Sequence, residues 1–393
     1  MYLKLSVRFV VGAVGASVGK PQSSKNILKK CLTKLRRDFS MGFGIGTKHN
    51  KGVSVLKKLT IREIATKADV SRSTVSRVLS GHPNVNAETR TLVQSVMKEL
   101  NYIPNRLAQG LVTGKLNVVG LVVGDIRNQY YSEMTRAIQE VLNERGYMVV
   151  LCDSAYSPEK EVDFLNVARE LRFASIIMTS VIDNEGLISN LRQLPCPVVL
   201  LNRYLQSYRT DVVSFDNFQG GYQATKHLID LGHRYIRALL GPALSTSTID
   251  RERGFRQAFA DHGIDLAEDA FVYGDLRFET GHEFGLSLIR EKQRPTAVFG
   301  GNDFMAMGVI KAFVDNGLKV PDDLSVVGFD DIPMAELSAV PLTTVRQPQV
   351  EMGRQAAQLV LERISGNKSL PRRVIFDAEL VIRGSTRKIS RKP

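Results

Sequence analysis

From Lys115 onward the chain alternates short apolar runs with amphipathic helical stretches for roughly 270 residues, a rhythm that few architectures accommodate. Val118–Val123, Met148–Cys152, Ile176–Thr179, Val198–Leu201, Val212–Phe215, Ile236–Leu240, Ala297–Gly300 and Leu324–Gly328 read as buried strands. Between them lie helical segments such as Glu133–Arg145, Tyr222–Leu231 and Phe304–Asn316. Strand–helix alternation of this kind predicts doubly wound parallel sheets with helices on both faces, and the length is better served by two sheets than by one. In such folds small molecules bind where strands run into loops. The expected site is therefore the cleft between two α/β subdomains.

The charge is distributed as unevenly as the periodicity. Of the formal +13 over 393 residues, residues 1–56 carry +10, residues 57–115 carry +6, and the remainder carries −3. An anion-binding N-terminal part on a near-neutral body is the pattern of a nucleic-acid binder. Residues 1–56 show no sustained helical or strand period and are expected to be a disordered or mis-annotated basic extension, with Met41 or a codon near Val53 as the true start. Lys4 and Arg8 before an apolar run imitate a secretory signal. The run GAVGASVGK approaches a phosphate loop but lacks its first glycine at the required spacing and has Pro21 where Ser or Thr should follow Lys20. Cys31, Cys152 and Cys196 have unrelated spacings, so neither a disulfide framework nor a zinc site is expected, and a reducing compartment suits them. No run of apolar residues is long enough for a membrane span.

Residues 57–103 are dense and periodic. Thr60 and Glu63 form a capping-box signature before Ile61, Ile64, Ala65 and Ala68, which line one helix face. Ser71 caps a second helix with Val75, Val78 and Leu79 inward, ended by Gly81 and Pro83. A third helix follows Asn86, with Leu92, Val96 and Leu100 as its expected buried stripe. Three short helices with a tight turn between the first two make a helix-turn-helix, an all-α headpiece on the α/β core. Its second helix turns Arg72, Ser73, Thr74, Ser76 and Arg77 outward. Arginine pairs bidentately with guanine, and short hydroxyl residues suit phosphate oxygens. The bland alternative is a solvated face with two ordinary arginines. Tyr102 precedes a short segment, 105–111, too short to be a stable helix alone but able to fold on DNA. Its own bland alternative is an interdomain linker.

The run LTIREIATKADVSRSTVSRVLSGHPNVNAETRTLVQSVMKELNYIPNRLAQGL resembles the headpiece and hinge of the lactose/galactose repressor family, and GLVVGDIRNQYY, FDNFQGGYQAT, LGHRYI, GNDFMAMGVI, VPDDLSVVGFDD and PLTTVRQP extend the resemblance over about 59–384. The resemblance implies that Arg72 and Ser73 read bases, that Arg77 reads a base or phosphate, and that Ser71, Thr74 and Ser76 bind phosphates. Tyr102 joins them as a DNA-side candidate. It also implies a hinge helix and linker over 104–116 that contains Asn105 and Ala108, with Leu111 as a minor-groove wedge. Gly110 departs from many relatives, and glycine costs roughly 0.5–1 kcal/mol against alanine in a helix, so this hinge should depend more than usual on DNA.

For the core, 117–384, family topology implies an N-subdomain of 117–216 and 321–349, a C-subdomain of 217–320 and 350–384, three crossovers, and a basic tail over 385–393. The effector-site candidates at strand ends are Asp125, Tyr130, Tyr131, Arg203, Ser247, Arg251, Leu276 and Asp303, with Asn202, Asp216, Asn217, Phe278 and Asn302 nearby. Arg251 and Asp303 match effector-contacting positions and would serve as hydrogen-bonding poles, with Tyr130 as a flat wall. Asp303 also suits an N-cap role before Phe304, which it could fill as well, and Tyr131 equally suits core packing. Ser245 and Leu276 stand where purine-responsive members have an arginine and a phenylalanine, so a sugar or sugar acid is the expected effector. The chain lacks a strand-linked GxGxxG, a GxSxG elbow and clustered His/Cys ligands, so no enzyme, cofactor or metal is expected. A periplasmic sugar-binding protein shares the two-lobed fold but has no use for residues 59–111. The expected protein is thus a cytoplasmic, nucleoid-associated repressor, a homodimer (or a tetramer) on a pseudo-palindromic double-stranded operator, with no membrane partner.

Overall fold

The computed structural model describes residues 60–79, 82, 84–102 and 116–389. Expectations for the 1–56 extension and for Asn105, Ala108, Gly110 and Leu111 of the hinge fall outside those residues. The headpiece has helices α1 (Ile61–Lys67), α2 (Arg72–Leu79) and α3 (Ala87–Glu99). Ser71 Oγ accepts from the Thr74 amide at 3.0 Å and Asn86 Oδ1 from the Thr89 amide at 2.7 Å, which fixes where α2 and α3 begin. Ile64, Val75 and Val93 are fully buried, with Ala65, Ala68, Val78 and Val96 around them. Leu92 corrects one expectation. It is 47% exposed, and the inward stripe of α3 is Val93, Val96, Met97 and Leu100. Four-residue steps drift around a helix of 3.6 residues per turn, whereas steps of three and four stay on one face.

The core elements are β1 (Leu116–Val123), α4 (Tyr130–Glu144), β2 (Met148–Asp153), α5 (Pro158–Glu170), β3 (Phe173–Met178), α6 (Glu185–Arg192), β4 (Val198–Leu201) and β5 (Asp211–Phe215). They continue as α7 (Asn217–Asp230), β6 (Ile236–Leu240), α8 (Thr246–Asp261), β7 (Phe271–Tyr273), α9 (Phe278–Arg290), β8 (Ala297–Gly300) and α10 (Asp303–Asp315). The last are β9 (Ser325–Val327), α11 (Pro333–Leu337), β10 (Thr344–Arg346), α12 (Gln349–Ile364), β11 (Arg373–Phe376) and β12 (Glu379–Val381). All eight strands read from the sequence are present. With β7 and β11 they form a larger parallel sheet ordered β11-β5-β4-β3-β1-β2 and a smaller one ordered β7-β6-β8-β9. β3 and β4 are buried throughout, as parallel strands covered on both faces must be.

The chain passes between lobes three times, but the two segments after 320 lie opposite to expectation. β9 pairs with β8, so 325–327 belongs to the small lobe, whereas α12 packs on α4 and β11 pairs with β5, which puts them in the large lobe. The tail differs too. Ser385 Oγ donates to the Val326 carbonyl at 2.6 Å, Arg387 pairs with Asp322 at 2.8 Å, and the Ile389 amide bonds the Leu231 carbonyl. Residues 385–389 therefore close the small lobe. His233 is buried against this segment and stays neutral, its pKa depressed to about 4 by that burial. In the same lobe α7 crosses α8, and α9 crosses α10, at backbone contact. A methyl group on Gly254 would fall onto the Phe218 carbonyl, and one on Gly308 onto the Phe278 carbonyl.

Candidate functional site: a nucleic-acid face and an effector cleft

On α2 the burial of Val75 and Val78 leaves Arg72, Ser73 and Arg77 exposed and Thr74 and Ser76 half-exposed. Ser71 Oγ spends one interaction on its cap and shares others with Ser73 and Thr74 at 2.6 and 2.8 Å, which sets a row of hydroxyls at the positive start of the helix. Helix α2 carries no acidic residue in its first turn, so nothing there repels a phosphate. Tyr102 is half-buried and packs against the headpiece core.

The cleft is built where strands end. Tyr130 and Tyr131 open α4 with ring centroids 5.1 Å apart in an edge arrangement, and burial pushes both hydroxyl pKa values up. Tyr130 Oη donates to Gln347 Oε1 at 3.1 Å, and Gln347 Nε2 donates to Asp330 Oδ1 at 2.7 Å. Arg251 is buried with its guanidinium 3.6 Å from the Phe329 ring centroid; Nε donates to Asn217 Oδ1 at 2.9 Å and Nη1 to the Gly301 carbonyl. Arg203, 2% exposed, donates Nη1 to the Ser180 and Val181 carbonyls at 3.0 and 3.4 Å. Tyr130, Tyr131, Arg203, Arg251 and Asp330 lie within one another's electrostatic reach, so the structure brings the first four, all expected from the sequence, together.

Asp125 and Leu276 lie elsewhere along the cleft, in a small pocket shared with Arg127, Asn128, Arg277, Phe278, Glu279 and Phe304. Asp125 pairs with Arg127 at 2.6 Å and faces Arg277 of the small lobe at 3.7 Å; its hydrogen bond from Arg127 holds its carboxyl below the usual range despite burial. A second bridge joins the lobes where Thr246 Oγ1 bonds the Tyr204 backbone and Tyr204 Oη reaches Asp250 at 3.4 Å. Ser247 is buried and bonds Ser245 at 2.9 Å.

Asp303 sits differently from the pole it was expected to be. Its Oδ2 accepts from the Ile332 amide at 2.9 Å and its Oδ1 from Thr344 at 2.5 Å, so both carboxyl oxygens tie the small-lobe end of the crossovers together. Burial, then the neighbouring Asp330, pushes the Asp303 pKa well above the usual carboxylate range. The N-cap of α10 is also not Asp303 but Asn302, whose Oδ1 accepts from the Met305 amide at 2.9 Å. Asp330, absent from the strand-end candidates, is the buried carboxyl beside Arg251; burial raises it to about 7 while Arg251 and Gln347 pull it down. The signal was the FDD at 329–331, directly after a strand. Positive φ at Asn202 (71°), Leu276 (68°) and Asp330 (122°) places sparsely allowed backbone at three of these strand ends, as functional clefts often do.

Glu161 is a second buried carboxyl absent from those candidates. It is 2% exposed, donated to by Ser180 Oγ at 2.8 Å, and raised to about 7 by burial, with Ser180 and Arg203 opposing. A raised folded pKa gives stability that is complete below the ordinary carboxylate value and lost as pH rises through about 7. Glu161→Gln should therefore gain on wild type by up to about 3 kcal/mol between about pH 5 and pH 8. Melting temperatures of both proteins across that range check this; parallel curves would mean that Glu161 does not titrate there.

Comparison with known proteins decides the family. Residues 60–105 match bacterial regulatory proteins of the lacI family, and residues 225–386 match a periplasmic binding protein-like domain. The HTH-type transcriptional regulator DegA of Bacillus subtilis (strain 168) is 35% identical over 332 residues, 84% of this chain and 98% of DegA. The chain belongs to the lacI family. Among solved members, the lac repressor dimer bound to operator and the anti-inducer ONPF superposes with a TM-score of 0.73 at 28% identity, covering 84% of this chain and all of that one. The transcriptional regulator CelR in complex with cellobiose gives 0.64 at 30% identity, covering 83% and 99%. LacI-family proteins are regulators of transcription and not enzymes. Among the described residues no helix is long and apolar enough to cross a membrane, and no His/Cys/Asp/Glu group is arranged to hold a metal.

Proposed function

We propose that this lacI-family protein is a homodimeric repressor that binds a pseudo-palindromic DNA operator in the cytoplasm, on the nucleoid, and that a carbohydrate-class effector held between its lobes sets operator affinity. The observation that carries the DNA half is the outward face of α2, basic and hydroxylic where the inward face is valine. Arg72 and Ser73 read base edges, Arg77 a base or phosphate, and Ser71, Thr74 and Ser76 hold phosphates; Asn105, Ala108 and Leu111 act in the hinge, beside Tyr102. In the cleft Arg251 and Asp330 are the polar poles, Tyr130 and Tyr131 the flat wall, and Arg203, Asp125, Ser247 and Leu276 complete the lining. Asp303 acts on this site from behind by holding the crossovers.

Support comes from relatives caught on operator as a dimer and with cellobiose bound. The test selects operators from random DNA with the full chain and with residues 1–56 deleted. Both should enrich the same two-fold symmetric site, with half-site centres roughly 34–36 Å apart, because the extension supplies only sequence-independent phosphate attraction. Selected sites without two-fold symmetry would overturn the dimer reading, and a changed site on deletion would make residues 1–56 part of the reader.

A further inference from the structure

Arginines that are buried or largely enclosed in this core carry a carboxylate partner in three cases. Arg363 pairs with Asp211 at 2.5 Å, Arg237 with Glu291 at 2.8 Å and Arg383 with Asp331 at 2.7 Å. Arg203 and Arg251 break that pattern: among the described residues neither has a carboxylate within 4.0 Å, although both are more than nine-tenths buried. They lie close enough for Arg203 to oppose the charge on Arg251. The two nearby carboxyls have their hydrogen bonds directed elsewhere, Glu161 to Ser180 and Asp330 to Gln347. Arg203 Nε is buried with no hydrogen-bond partner, and so is Asn202 Oδ1 on the adjacent residue. A buried cation without a counter-ion is costly, and the cost is removed when a ligand brings the missing anion.

We propose that the effector is a hydroxy acid of the sugar class whose carboxylate is received by Arg203 and whose neighbouring hydroxyl donates to Asn202 Oδ1. An orphan donor on a cation beside an orphan acceptor is the complement of a carboxylate oxygen beside a hydroxyl. The planar guanidinium favours a carboxylate over a point-charge partner. This rests on the reading of the cleft as a carbohydrate-class site and narrows it to acids.

The full chain is heated with D-gluconate, D-galactonate, D-glucuronate and D-galacturonate, with the parent sugars D-glucose and D-galactose, and with D-glucose 6-phosphate. At least one acid should raise the melting temperature by several degrees, and by more than its neutral parent does. Arg203→Lys keeps a charge and a donor for the Ser180 and Val181 carbonyls but loses the fork. It should melt like wild type without ligand and need at least about tenfold more acid for the same shift. Neutral sugars acting as well as the acids overturns the proposal and leaves the carbohydrate reading standing. A response to the phosphate alone overturns the carboxylate assignment, and so does an unaltered acid response in Arg203→Lys. No shift from any compound removes both the proposal and the carbohydrate reading.

Discussion

Arg72→Ala lowers operator affinity by at least about 30-fold at fixed salt while leaving the headpiece folded. A bidentate arginine–guanine contact is worth roughly 1–3 kcal/mol, and a symmetric operator engages the residue twice, so the loss is about 2–6 kcal/mol per dimer. Arg72 is exposed at the start of α2 and contributes nothing to the cluster around Ile64, Val75 and Val93, so stability is spared. Arg72→Lys separates the two ways an arginine acts on DNA. A phosphate contact survives the exchange because charge remains; base reading does not, because the fork is gone. Binding is measured on the selected operator and on single-position variants over a range of salt. Preference should relax at one base pair of each half-site with the salt slope almost unchanged in Arg72→Lys. Uniform weakening over all sequences, with a shallower slope only in the alanine variant, would assign Arg72 to phosphate.

Arg363→Met should destabilise the fold by about 3–5 kcal/mol, because it strands a buried carboxylate. Asp211 at the start of β5 is 1% exposed and takes both Arg363 Nε and Nη2, at 2.5 and 2.9 Å, together with the Arg372 amide at 2.8 Å. Arg363 also donates to the carbonyls of Asn367, Ser369 and Leu370 and so holds the loop that leads α12 into β11. Burial alone would raise the Asp211 pKa, but Arg363 and the Arg372 amide outweigh it and the net shift is downward. The depressed pKa gives stability that is present above the ordinary carboxylate value near about 4 and is lost as pH falls through the folded value. Wild type should therefore lose its advantage over Arg363→Met in acid. Denaturant unfolding at neutral and acidic pH measures both quantities, and a neutral-pH cost under about 1 kcal/mol would show that the loop and β11 hold without the pair. The double variant Asp211→Asn with Arg363→Met should recover part of the loss, since no charge is then left buried.

The secondary elements and the headpiece were legible from the sequence because they depend on neighbours within about one turn or one strand. Ser71 and Asn86 cap the helices they precede, the inward valines of α2 follow the helical period, and every apolar run read as a strand is one. The family, and with it the outward residues of α2 and four of the five side chains that meet around Arg251, could be read from motif text in the same way. Where the sequence reading went wrong was in which sheet each late segment joins. β9, α12 and β11 are apolar or amphipathic pieces equally suited to either lobe, and only the pairing of β9 with β8, β11 with β5 and α12 with α4 chose between them. The cleft's charges were decided at that level too. Asp303 and Asp330 look alike beside their strands, yet one is spent on Ile332 and Thr344 while the other stands near Arg251. The missing counter-ion of Arg203 is likewise visible only when residues far apart in sequence are set side by side, since the presence or absence of a partner is a property of distance in space and leaves no mark on the spacing of residues along the chain.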